Sequence, residues 1–179
     1  MVYNSEDHRR KSIRYPKYDY ARDGAYFMTV CARDMKCLFG DIKNGKMEPN
    51  EAGEVARLCW REIPKHYPFV VLDEFVVMPN HVHGIIGIQK KMRANNHSPL
   101  QMQNQIQKQK AGTSKTVGAI VRGYKIGVTK LLGKSIWQRN YWEHIIRDDE
   151  DLNRIREYII NNPLNWELDE LYFGVRRGE

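Results

Sequence analysis

Two histidines separated by one residue, His81 and His83, are the pair in this chain with the most distinctive chemistry. The apolar, β-branched residues around them favour a β-strand. Residues i and i+2 of a strand share a face and lie roughly 6–7 Å apart, so two imidazoles can converge on one ion. His-x-His pairs are also common as ordinary core or surface histidines. The pair alone therefore only suggests a metal site.

A second pair, Tyr158 and Asn162, stands one turn apart near the end of a predicted helix. The i, i+4 spacing places a phenol and an amide oxygen on one helix face. Two imidazoles and an amide oxygen can bind a divalent ion that polarises a phosphodiester. A tyrosine can then attack the phosphorus and hold the broken strand as a phosphotyrosine. Together, the two pairs predict metal-assisted phosphoryl transfer.

The elements that must position these side chains are predicted from local sequence signals. Strands are predicted at 25–31, 69–78 and 81–88, and in the second half of 136–146. Turns are indicated by Asn44-Gly45 within a hairpin and by Pro79-Asn80 between two runs that should pair antiparallel. This order predicts an α+β fold, with an antiparallel sheet and helices packed on one face.

Three helices are predicted, each from its start signal or its apolar spacing. Asn50 is a candidate N-cap for the first, and a second has its apolar stripe from Val117 to Leu131. The third begins after Asp148 or Asp149 and is stopped by Pro163. This last helix carries both Tyr158 and Asn162.

Positive charge dominates the chain, with a formal net charge of +7 over 179 residues. Such an excess favours a polyanionic partner, because a Lys or Arg that meets a phosphate releases a counterion. The candidate DNA contacts are Arg14, Arg122, Lys125 and Arg139. The alternative is an ordinary solvated surface and a frayed basic arm at the N-terminus.

The chain length predicts one domain over residues 1–179, interrupted by a flexible Gln-rich insert at about 89–115. Cys31, Cys37 and Cys59 do not have the spacing of a zinc knuckle and are expected to be reduced. The N-terminus has no apolar signal core, and no apolar run reaches the length of a membrane span. The expected location is the cytoplasm, without a membrane partner.

Three sequence blocks together resemble a known family. The run 77–86, which holds the His-hydrophobic-His motif, resembles the core of the single-tyrosine HUH transposases. The blocks 137–148 and 158–163 are similar to those of the REP-associated tyrosine transposases of bacteria, and the stretches 12–14 and 26–30 fit as well. The resemblance spans nearly the whole chain except the Gln-rich insert.

This resemblance implies a ferredoxin-like or RRM-like fold and cleavage of single-stranded DNA near hairpins of repetitive palindromic elements. It implies a covalent 5′-phosphotyrosine on Tyr158 and a free 3′-OH. It also implies that His81, His83 and Asn162 are metal ligands. The expected ion is Mg²⁺ or Mn²⁺; this assignment follows from the family, since two histidines suit zinc at least as well. Both a monomer and a homodimer fit the resemblance, since in relatives the tyrosine acts either in its own subunit or in that of a partner.

The sequence is also compatible with two other functions. One is a DNA-binding module of the same fold that is catalytically silent, and the other is a zinc-dependent hydrolase built on the histidine pair. Tyr124 is a rival nucleophile, although its place in the apolar stripe of its helix favours packing.

Overall fold

The structure is a computed structural model that describes residues 23–89 and 114–172. Arg14 and nearly all of the predicted insert lie outside these residues. The strands are β1 Gly24–Cys31, β2 Gly40–Lys43, β3 Lys46–Pro49, β4 Val70–Val77, β5 His81–Ile88 and β6 Trp142–Ile146. The α-helices are α1 Glu51–Arg61, α2 Ile63–His66, α3 Val117–Leu132 and α4 Asp149–Asn161. Short 3₁₀ turns span Arg33–Met35 and Trp166–Leu168.

One four-stranded sheet has the order β4-β5-β1-β6, and every neighbouring pair is antiparallel. The predicted turn at Pro79-Asn80 is confirmed, since β4 ends at Val77 and β5 begins at His81. Strands β2 and β3 form a separate hairpin. Its turn is the predicted Asn44-Gly45, and both residues have positive φ, 51° and 71°, as this turn type requires.

Side-chain caps start the helices at the expected places. Asn50 accepts a hydrogen bond from the Gly53 amide, and Asp148 accepts one from the Asp151 amide. Each cap satisfies an amide that has no partner within its own helix. Both predicted cap sites are confirmed, and the cap of α4 fixes where the helix carrying Tyr158 begins.

The helices lie on both faces of the sheet. Tyr26 and Val82 project into a core shared with α1 and α3, whereas Ile85 projects to the other face and packs with Ile155 and Ile159 of α4. The α+β class is confirmed, but the expectation that all helices pack on one face is corrected. The physical reason is that the central strands are apolar at both odd and even positions, so both faces need cover.

A close packing contact holds β5 in place from the face opposite the histidines. The indole of Trp60 stacks on Phe75, with ring centroids 4.5 Å apart. A Cβ added at Gly84 would lie 2.3 Å from Trp60, so the indole packs directly against the strand backbone. The register shift between Leu72 and Phe75 keeps both side chains in this core.

Candidate active site

His81 and His83 lie on the face of β5 that α4 covers. Their exposed fractions are 0% and 2%, and their Nε2 atoms are 2.9 Å apart. Two ligands bound at right angles to one ion, each about 2.1 Å from it, would be roughly 3 Å apart. The two imidazoles therefore converge as metal ligands do.

Hydrogen bonds at the Nδ1 atoms orient both rings. The Asn80 amide nitrogen donates to the carbonyl of Leu171, so its Oδ1 accepts from His81 Nδ1 at 2.7 Å. His83 Nδ1 lies 2.9 Å from Thr29 Oγ1. Such partners on the far ring nitrogen fix the tautomer and orientation of a metal-binding histidine. With Nδ1 engaged on each ring, Nε2 is the nitrogen left to face a ligand.

Burial keeps both imidazoles neutral. It lowers the pKa of His81 from its usual 6.5 to about 3. Burial first, and then the proximity of His81, lower the pKa of His83 well below its usual range. The neutral imidazole is the form that binds metal ions.

Tyr158 reaches this pair from α4, which Ile155 and Ile159 anchor to the sheet. Its Oη lies 3.2 Å from His83 Nε2, and its ring meets Phe27 edge-on. Tyr158 as a whole residue is 46% exposed, although its hydroxyl faces the buried His83. Burial of the hydroxyl and then the charge of Asp169 raise its pKa to about 12.

Asn162, one turn after Tyr158, is buried beside Asp169. Its Nδ2 donates to Asp169 Oδ2 at 2.7 Å. Its Oδ1 is buried and has no hydrogen-bond partner among the residues that the structure describes. An orphaned buried acceptor is costly unless a ligand pairs with it. The side chains present thus fit a divalent cation.

Asp169 is a site residue that sequence reasoning missed. Ligand atoms of His81, His83 and Asp169 all lie within 4.8 Å of one another. Asp169 follows the 3₁₀ turn at Trp166–Leu168, beyond the predicted stop at Pro163. Its only signal in the sequence is an acidic side chain seven residues after Asn162, which is not specific.

Tyr124, the alternative nucleophile, lies on the other side of the sheet from the histidine pair. It is 3% exposed and lies in the core under α1 and α3, on the opposite face from the histidines. Burial raises the pKa of its hydroxyl well above the usual range. The interpretation of Tyr124 as a packing residue agrees with this position.

A groove of about 1060 Å³ lies between α3 and the loop before β6. It is lined by three of the predicted DNA contacts, Arg122, Lys125 and Arg139. Arg33 and Lys130 also line it. The Lys125 Nζ donates to the carbonyls of Gln138 at 2.6 Å and Asn140 at 2.9 Å, so it holds that loop in place. The fourth predicted contact, Arg14, lies outside the described residues.

Two tryptophans near this groove have different environments. Trp137 is 6% exposed and packs against Phe39 and Tyr124. Trp142 is 62% exposed and lies on the edge strand β6, opposite Thr29. Because opposite residues of antiparallel strands share a face, Trp142 lies on the sheet face that carries His81 and His83, called the active-site face below.

His144 of β6 is paired with an acidic residue of α4. Its Nε2 lies 2.7 Å from Asp151 Oδ2, which joins β6 to the first turns of α4. The neighbouring Glu143 accepts a hydrogen bond from Tyr141 and lines the groove on the other face. Neither contact reaches the histidine pair.

The candidate site is thus a buried histidine pair with a tyrosine hydroxyl beside it, on one face of a four-stranded antiparallel sheet. The sequence profile of the family described as IS200-like transposases matches residues 46–162. The chain belongs to the IS200-like transposase family.

Two relatives are similar to this chain over most of its length. A protein of Haemophilus influenzae with no assigned function is 47% identical over 175 residues, which cover 95% of this chain and 97% of that protein. A second protein of the same organism, whose name proposes a REP-associated tyrosine transposase, is 26% identical and covers 82% of this chain and 73% of its own.

A solved structure has the same fold. The structure of a REP-associated tyrosine transposase bound to a REP hairpin has a TM-score of 0.61 and 22% identity, covering 89% of this chain and 77% of that one. The resemblance to the REP-associated tyrosine transposases is thereby confirmed. Of the helices in the described ranges, none combines the length and apolar character needed to cross a lipid bilayer.

Proposed function

We propose that this protein is a metal-dependent endonuclease and strand transferase that acts on single-stranded DNA near hairpins through a covalent 5′-phosphotyrosine. The observation that carries the proposal is the position of Tyr158 Oη, 3.2 Å from Nε2 of a buried, neutral histidine pair. Family membership supports a transposase in general, and this contact supports the particular chemistry.

The proposed metal ligands are His81 and His83 through Nε2 and Asn162 through Oδ1, and the proposed ion is Mg²⁺ or Mn²⁺. The chemistry supplied there is Lewis-acid catalysis, in which a non-bridging phosphate oxygen is polarised and its charge offset. The orphaned Asn162 Oδ1 and the 2.9 Å separation of the Nε2 atoms support this ligand set.

In the proposed step, Tyr158 Oη attacks the phosphorus, an oxygen–phosphorus bond to the tyrosine forms, and the bond to the 3′ oxygen breaks. The proton lost by the phenol balances the one gained by the departing 3′ oxygen. The products are a 5′-phosphotyrosine and a free 3′-OH. Attack by a 3′-OH on the phosphotyrosine reverses the step, so a strand can be rejoined without ATP.

Tyr158 and the histidines meet within one chain, which supports cleavage in cis. The packing of Ile155 and Ile159 fixes α4 on the sheet and so holds the phenol over the site. Such pre-orientation of a nucleophile removes part of the entropic barrier to reaction. A monomer and a homodimer are both compatible with this arrangement.

The proposed partner is hairpin DNA from repetitive palindromic elements, bound in the groove lined by Arg122 and Arg139. Arg14 would add a phosphate contact, while Lys125 shapes the groove by holding its loop. Guanidinium groups bind phosphate through paired hydrogen bonds, and this supports the assignment. The protein would act where the DNA lies, which in a bacterium is the cytoplasm.

The test uses end-labelled single-stranded DNA that contains a hairpin, incubated with protein and Mn²⁺ and resolved on a denaturing gel. Wild type should give a covalent protein–DNA adduct, and Tyr158→Phe should give none. Tyr67→Phe is the matched control, since the Tyr67 hydroxyl bonds the carbonyl of Ala119 in a different part of the structure.

An adduct that persists in Tyr158→Phe would contradict the proposed nucleophile. Tight hairpin binding without an adduct in wild type would favour the catalytically silent binding module. Hydrolysis of small esters in the absence of DNA would favour the zinc hydrolase.

A further inference from the structure

We infer that Asp169 is a positioning residue that orients the Asn162 amide towards the cation and adds a carboxylate to the site. The inference deepens the proposed function and rests on its metal site. The juxtaposition that carries it is a carboxylate within 4.8 Å of both imidazoles that also pairs with the Asn162 amide.

The hydrogen bond between the two side chains decides which way the amide faces. A carboxylate only accepts hydrogen bonds, so the group of Asn162 that lies 2.7 Å from Asp169 Oδ2 must be the NH₂. The amide oxygen then points away from Asp169, and it is the buried atom without a protein partner in the described part of the chain. Asp169 thus turns the one metal-binding atom of Asn162 outward from their pair.

The second contribution of Asp169 to the site is its negative charge. Two imidazoles and an amide are all neutral donors, and nitrogen-rich sets suit zinc and other transition metals. A carboxylate in the same cluster adds a hard, anionic oxygen, the donor that Mg²⁺ and Mn²⁺ favour. Asp169 would therefore bias the site towards the ions expected for phosphoryl transfer.

The segment around Asp169 is held against the site by one local hydrogen bond and by contacts with distant parts of the chain. Asp169 Oδ1 accepts from the Leu171 amide at 2.7 Å. The Leu171 carbonyl in turn accepts from Asn80, the residue that orients His81. The ring of Trp166 lies 6.0 Å from that of His81. The carboxylate is thus fixed by the same network as the first histidine.

The first test measures Mn²⁺ binding without DNA, by electron paramagnetic resonance and calorimetry. Asp169→Asn should weaken Mn²⁺ binding about 10- to 100-fold, the range typical for partners of metal ligands. Glu170→Gln is the matched control, since it removes one negative charge from an exposed neighbour and should bind Mn²⁺ like wild type. Thermal melting of each variant checks that the fold is intact.

A rescue variant separates orientation from general damage. In Asp169→Asn, the amide at 169 can donate to Asn162, which would then turn its own NH₂ towards the ion. The double variant Asp169→Asn/Asn162→Asp pairs a donor at 169 with a carboxylate at 162, and an oxygen again faces the ion. We expect the double variant to bind Mn²⁺ more tightly than Asp169→Asn alone.

Wild-type affinity in a folded Asp169→Asn would overturn the inference, as would a double variant no better than the single one. These outcomes are distinct from failure of the proposed function. If Asp169→Asn loses Mn²⁺ but wild type forms no DNA adduct, the inference stands and the strand-transfer activity does not. If wild type shows no saturable Mn²⁺ binding, both the metal site and this inference are overturned.

Discussion

The two faces of the central sheet differ in what they bury. The face under α1 and α3 is a large apolar core around Trp60 and Tyr124. The other face has a smaller apolar cluster under α4 and, beside it, the polar site. In the part of the chain that the structure describes, the residues classed as buried and polar or charged are Thr29, Asn80, His81, His83 and Asn162.

All of these buried polar residues belong to the site or its hydrogen-bond partners. Burying such groups costs free energy unless each finds a partner, so a fold selected only for stability would fill these positions with apolar side chains. One face therefore mainly supplies stability, while the other accepts a cost that the proposed chemistry would explain.

The polar face should make the metal-free protein sensitive to acid. Unfolded His81 takes up a proton near pH 6.5, whereas the folded form resists protonation down to about pH 3. The unfolded state therefore binds more protons in this window, and stability falls as the pH falls. His81 alone should contribute a loss on the order of 1 kcal/mol per pH unit below 6.5, and His83 acts in the same direction.

Thermal or urea unfolding in EDTA between pH 7 and pH 5 measures this loss. The variant His81→Leu/His83→Leu is the comparison, since it removes both titrating groups from the same positions. Its stability should depend less steeply on pH. Equal slopes for the two proteins would show that the histidines are not held neutral by the fold.

The addition of one carbon atom on the apolar face should lower the stability of the protein. A Cβ at Gly84 would lie 2.3 Å from Trp60 and 3.0 Å from Phe75, both large rings in a packed core. Gly84→Ala should therefore destabilise the protein by about 1–3 kcal/mol, measured by urea unfolding at pH 7.5. Gly87→Ala is the control on the same strand, because its added Cβ would meet only ordinary contacts at 3.7 Å.

If Gly84→Ala unfolded at the same urea concentration as wild type, the close approach of Trp60 would not hold β5 in place. Retained Mn²⁺ binding in a destabilised Gly84→Ala would show that packing on one face and metal binding on the other can be separated, although Gly84 directly follows His83.

Local elements were predictable because their signals are short. Asn50 starts a helix and Asn44-Gly45 makes a turn through chemistry within a few residues. The side of the sheet that α4 covers was not predictable in this way. It depends on Ile85 and Ile155 meeting across 70 positions of the sequence, which spacing within one element cannot reveal.

The candidate site was likewise predictable only where its residues are close together in the sequence. The pairs His81–His83 and Tyr158–Asn162 each have a spacing that suggests a shared face, and the structure brings Tyr158 to His83. Asp169 has no such spacing. Its position depends on the path of the chain after Pro163 and on the bond between Asn80 and the Leu171 carbonyl, residues 91 positions apart. Contacts of that range have no local sequence signature.

Trp142, at the edge of the active-site face, should contribute modestly to DNA binding. Trp142 is exposed on β6, in the same cross-strand row as Thr29 and His83. An exposed indole beside the proposed cleavage site can stack on a base of the single strand. Trp142→Ala should weaken binding of the single-stranded flank by about 1 kcal/mol, the lower end for one stacked base, while Trp142→Phe should keep most of the affinity.

Fluorescence anisotropy with labelled DNA measures the affinity, and a melting curve shows whether the fold is kept. An exposed residue should leave the melting temperature unchanged, whereas Trp137→Ala, in the apolar core, should lower it. Unchanged DNA affinity in Trp142→Ala would place the single strand elsewhere on the sheet. Loss of stability in that variant would instead mean that Trp142 packs, and the active-site face would then contribute more to stability than its polar character implies.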